Sequence, residues 1–88
     1  RPLRQALARM QPCERLLISV DLGRPDAPDL LRDCGRLGFQ VVEVSARGSL
    51  AEWTPGQLRQ LRQLSKIVLD SPEPRLAQEA PRLKVVLR

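Results

Sequence analysis

Apolar positions along the chain gather into four continuous runs: ERLLISVDL at 14–22, QVVEV at 40–44, KIVLD at 66–70 and LKVVL at 83–87. Each is rich in Val, Ile and Leu, the pattern of a strand covered on both faces in a parallel sheet. Between the runs the spacing turns helical. Leu30, Leu31, Cys34 and Leu37 form one inward stripe and Leu58, Leu61 and Leu64 another, and a third helical stretch lies between Ser71 and Pro81. Ahead of them all, Leu3, Ala6, Leu7 and Met10 recur at i, i+3, i+4 and i+7, with Arg4, Gln5 and Arg9 opposite. This predicts a helix over 3–10 that Pro12 stops.

The punctuation supports the same division. Asp26 is placed to cap the first connecting helix, Pro28 is tolerated in its first turn, and Gly38 suits a left-handed closing position. Gly35 weakens that helix by about 1 kcal/mol relative to Ala, so it is expected to face a close neighbour or to mark fraying. Ser49 with Glu52, then Thr54 with Gln57, are successive S/T-x-x-E/Q boxes, predicting a short helical turn followed by a longer helix with Pro55 at its first position. Trp53 then occupies the site that staples against Leu58. Ser71 is expected to cap the third connecting helix.

A strand-plus-helix period of about twenty residues predicts a single α/β domain over residues 1–88. Residues 1–12 are its N-terminal helix and stop, and 13–88 a βαβαβαβ body. The sheet is expected to be small, four-stranded and mainly parallel, flanked by helices. Such a sheet needs both faces covered, so residues 3–10 are expected to help cover one. A dimer across an exposed edge or leucine stripe would relieve the thin margin.

Composition narrows the chemistry. The chain contains no histidine and two cysteines, Cys13 and Cys34. Ser-His-Asp, Cys-His and His-metal chemistries are therefore out of reach for the chain alone, and the cysteines fall short of a structural zinc site or a disulfide framework. Reduced thiols and a cytoplasmic protein are the expectation. No apolar run reaches the ~18 residues of a membrane span, and RPLRQALARM is too interrupted by charge for a signal core. The loop GRPDAPD has one glycine and two prolines, which is not a phosphate-binding loop. No cofactor or metal is expected.

Fifteen Lys and Arg against ten Asp and Glu give a net charge of +5. Arg59, Arg62 and Lys66 recur at i, i+3 and i+7, a basic strip suited to an acidic partner or to nucleic acid; the plainer reading is a solvated helix face. Phe39 and Trp53 are the only aromatics, so a base-stacking platform is lacking. Trp53, if exposed beside Leu50, would anchor a protein partner.

The segments RLLISVD, LLRDCGRLGFQVVEV, KIVLDSPEP and PRLKVVL together resemble the first four strands of a response-regulator receiver domain, over residues 15 to 88. The resemblance implies a flavodoxin-like arrangement and puts Asp70 where the family carries its phosphorylated aspartate. Asp21 is followed by Leu22 rather than by a second acid, Leu87 and Arg88 stand where a hydroxyl residue is expected, and the fifth strand with its lysine is missing. What is implied is a shortened pseudo-receiver, lacking the metal and lysine that offset charge in phosphoryl transfer. Asp21 and Asp70 would lie close together if the first and third strands were neighbours, and could then hold magnesium; helix capping accounts for the same positions. The functional expectation is a non-enzymatic regulatory or assembly module acting through protein contacts at Arg59, Arg62, Lys66 and Trp53. The alternatives are a nucleic-acid-binding domain using the basic helix face, and a fragment of a magnesium-dependent enzyme using Asp21 and Asp70.

Overall fold

A computed structural model describes residues 15–88; the expected helix over 3–10 and Cys13 lie outside the described residues. Four strands, β1 (Arg15–Asp21), β2 (Val41–Arg47), β3 (Lys66–Leu69) and β4 (Lys84–Leu87), form one sheet in the order β1-β2-β3-β4. All three pairings are parallel. The connections are α1 (Ala27–Gly35), α2 (Pro55–Arg59) running into a 3-10 turn (Gln60–Gln63), and α3 (Leu76–Glu79). The class is the expected one, a small parallel sheet flanked by helices. The strand order advances in one direction, without the reversal at which doubly wound sheets open a crevice.

One-way winding leaves its mark on burial. Leu16 and Val20 in β1, Val42, Val44 and Ala46 in β2, and Ile67 and Leu69 in β3 share one face and are buried, while the residues between them are exposed or half-buried. Right-handed crossovers that all step the same way put every connecting helix on that buried face. The core is completed from the helix side by Leu31, Cys34, Leu58, Leu61, Leu64 and Leu76. The expectation that strands are covered on both faces therefore holds, among the described residues, for one face only.

Local sequence explains where helices stop. Leu58, Leu61 and Leu64 recur every three residues, and all three are buried. A helix of 3.0 residues per turn keeps such a series on one side, which accounts for the tightening after Arg59. The capping box closes at Thr54: its Oγ1 accepts from the Gln57 N–H at 3.2 Å, and Gln57 Oε1 accepts from the Thr54 N–H at 3.0 Å. At Ser49 no helix forms, and the hydroxyl instead accepts from the Ala51 N–H at 3.0 Å in a turn. Asp26 stands at the start of α1 without capping it, and its carboxylate receives Arg24 Nε at 3.1 Å. Ser71 does not cap α3 either, because Pro72 and Pro74 force extended backbone before them and delay the helix to Leu76.

Two residues tie the loops to this frame. Trp53 is buried, its Nε1–H donating to the Leu22 carbonyl at 3.4 Å. Arg75 donates to the Trp53 carbonyl at 2.7 Å and the Leu50 carbonyl at 2.8 Å, while Glu73 accepts from its Nε at 2.9 Å. The Arg75 hydrogen bond holds Glu73 below its ordinary pKa. Among the described residues no helix is long and apolar enough to cross a membrane.

Candidate interaction surface

The face of the sheet away from the helices is ordered by the strand register into three rows. The first reads Leu17, Glu43, Lys66, Lys84, and the second Ser19, Ser45, Val68, Val86. Continuing the register one step brings Asp21, Arg47, Asp70 and Arg88 into a third row of alternating charge at the carboxyl ends of the strands. Helix-facing residues of the same strands are apolar, so the sequence alternates along VVEVSAR. That period of two is the mark of a sheet with one solvated face.

The third row answers the question of Asp70. Arg88 Nη1 donates to Asp70 Oδ1 and, at 2.8 Å, to the Ala46 carbonyl, while its Nη2 donates to Ser45 Oγ. The Gly48 N–H donates to Asp70 Oδ2 at 3.3 Å. The Arg88 hydrogen bond and then the Gly48 amide hold the Asp70 carboxyl below its ordinary value. Asp21 is taken up locally, accepting from the Gly23 N–H at 2.9 Å. Because β2 lies between β1 and β3, the two aspartates stand two strand spacings apart, about 10 Å. They are not the neighbours a shared ion requires, and among the described residues no cluster of three or more metal-ligating side chains occurs.

Each residue proposed from the sequence finds a different setting. Arg59 forms an ion pair with Glu79 at 3.0 Å on the helix side. Arg62 is exposed in the 3-10 turn, and Lys66 belongs to β3 with its side chain on the open face. The three therefore do not form one strip, because the helix that would have aligned them ends before Lys66. Trp53, buried and hydrogen-bonded, presents no anchor to a partner.

What the open face does offer is a shallow depression of about 270 Å³ bounded by Leu17, Ser19, Glu43, Ser45, Lys66 and Val68. The small serines of β1 and β2, in register with each other, form its floor. Leu17 at its rim is 64% exposed, an unusual position for a leucine in a parallel sheet. Glu43 is engaged by Arg15 at 2.8 Å. Lys66 and Lys84 lie side by side in register, and neither has an ion-pair partner among the described residues. The site is thus a hollow floored by serines and rimmed by Leu17 and Val68, with ammonium groups that have no ion-pair partner among the described residues along one margin. Ser19, Ser45 and Val68 were not singled out from the sequence, although the alternation of Glu43, Ser45 and Arg47 with Val42, Val44 and Ala46 marks their face.

Compared with protein-family models, with curated proteins and with solved structures, the chain matches none of them.

Proposed function

We propose that the chain is a non-enzymatic protein-docking module whose open sheet face receives a helix of a partner protein. The observation that carries this reading is the one-sided parallel sheet. Such sheets are stable when both faces are covered, and here, among the described residues, one face leaves Leu17 exposed and Val68 and Val86 half-buried around a ready-made depression. The partner that fits is an amphipathic helix carrying one large apolar side chain for the depression and a carboxylate for Lys66 or Lys84. Apolar anchors in a pocket supply most of an interface's affinity, and the charges supply its orientation.

The engaged state of Asp70 agrees with a binding role rather than a phosphate-accepting one, since Arg88 occupies its carboxylate. Any kinship with receiver domains would then lie in the scaffold. The cytoplasmic assignment belongs to the same reading and rests on the sparse cysteines, of which Cys34 is buried in the core. The nucleic-acid alternative has lost its continuous basic strip to the split between Arg59 and Lys66.

Selection from a library of displayed helices tests the proposal. Binders should carry an apolar anchor beside Asp or Glu, and their NMR shift changes should centre on Leu17, Ser45, Lys66 and Val68. Val68→Glu should weaken them at least about tenfold while leaving the fold intact, because it buries a charge under the anchor. Binders that map to the α1–α3 side, or that survive Val68→Glu, would overturn it.

A further inference from the structure

The outer edge of β4 differs from that of β1. The Lys84 N–H donates to the Ser65 carbonyl at 3.3 Å and the Arg88 N–H to the Leu69 carbonyl at 2.8 Å. Backbone direction alternates along a strand, so Val85 and Leu87 turn their N–H and C=O groups outward, away from β3. The same two residues direct their side chains to the helix side, where they remain 40% and 53% exposed. They form one wall of a hollow of about 450 Å³ whose other walls include Pro72, Leu76, Ala80 and Leu83. Their register partners on β3, Ile67 and Leu69, are fully buried. At the β1 edge the logic is reversed. The Leu22 N–H donates to the Arg47 carbonyl across the β1–β2 pair, so the outward backbone groups belong to Arg15, Leu17, Ser19 and Asp21, whose side chains stand on the open face.

We infer that β4 is a strand-addition site for an extended partner segment of the order acid, apolar, any, apolar, with the acid opposite Lys84. The outward N–H and C=O groups of Val85 and Leu87 supply the main-chain ladder, and the hollow takes the two apolar side chains. Charge selects the flank at Lys84, because Arg88 at the other end is turned inward onto Asp70 and Ser45. Lys84 projects on the open face and already abuts Lys66, so a carboxylate opposite Lys84 neutralises an adjacent like-charge pair. Charge also argues against a second copy as the occupant, because the antiparallel two-fold pairings that match the outward Val85 and Leu87 amides set Lys84 or Arg82 opposite Arg88 of the other copy. This site is separate from the depression around Val68.

A capped peptide, Thr-Glu-Val-Thr-Val-Glu-Thr, reads the same in either strand direction and serves as the probe. On its addition, the Val85 and Leu87 amides should gain protection from hydrogen exchange. Methylating one alternate set of peptide amide nitrogens should abolish binding, while methylating the other set leaves it, since only one set faces β4. Lys84→Glu should weaken the peptide about fivefold, and a peptide with Lys in place of Glu should recover the loss on that variant. The Val68→Glu variant should bind the peptide normally, which separates this site from the face-docking one. Unchanged protection at Val85 and Leu87 at millimolar peptide, or equal sensitivity to both methylation patterns, would overturn the inference. Protection that rises with protein concentration in the absence of peptide would overturn it in favour of self-pairing.

Discussion

Arg88 does more than follow β4. Its guanidinium joins β2, through the Ala46 carbonyl and Ser45, to Asp70 at the end of β3. The carboxylate it engages is depressed below its usual pKa, chiefly by this hydrogen bond. A carboxyl whose folded pKa lies below its unfolded value adds stability that is fully present above the unfolded value, near 3.8, and is lost as pH falls through the folded one. Asp70→Asn should therefore lower the melting temperature at neutral pH, and the gap to wild type should close as pH drops below 3.8; thermal melts across an acid series measure this. A gap that stayed constant down to the most acid point would mean that the ion pair contributes nothing.

At the scale of the element, the contact between α1 and the 3-10 turn is governed by a missing methyl group. A Cβ at Gly35 would stand 2.6 Å from Gln63 Cβ, which is closer than two such carbons approach. Helix propensity alone makes Gly35→Ala favourable by about 1 kcal/mol, but overpacking costs about 1–3 kcal/mol. Net destabilisation in urea melts is expected, with partial recovery in the Gly35→Ala, Gln63→Gly double variant. Of the two readings the sequence left open at Gly35, a close neighbour or fraying, the first is found; all four strands, the Thr54 box and the Leu58, Leu61, Leu64 stripe were readable outright. Sequence pattern did not reveal that the stripe would tighten into a 3-10 turn; it put Lys66 both on the basic helix strip and at the head of the KIVLD strand, and only the strand position is found. Nor did it reveal that Pro72 and Pro74 would shorten the third helix to Leu76–Glu79. The open face was masked by the Val and Leu content of the strands: runs such as RLLISVD satisfy both the continuous and the alternating template until strand order is known. Asp21 and Asp70 could be paired on paper for the same reason, since only the order β1-β2-β3-β4 sets a strand between them.

For the whole molecule, one apolar cluster links β1, β2, β3 and the connecting helices, from Leu16 in β1 to Leu83 just ahead of β4. Native domains are stable by only about 0.05–0.15 kcal/mol per residue, and Leu61 is fully enclosed within this core. Truncating such a leucine costs about 2–5 kcal/mol. Leu61→Ala should consequently lower the urea midpoint sharply, with structure lost in a single transition seen equally by circular dichroism and by Trp53 fluorescence. Separate transitions by the two probes would show that the layers unfold independently. The placement of Lys66 and Lys84 carries a practical corollary. They are the only lysines in the sequence, and both side chains project from the same side of the sheet. Amine-directed dyes, biotin reagents and coupled sensor chips that react with these lysines will therefore attach on the open face, so handles placed through engineered cysteines on α1 or α2 are the ones that leave that face bare.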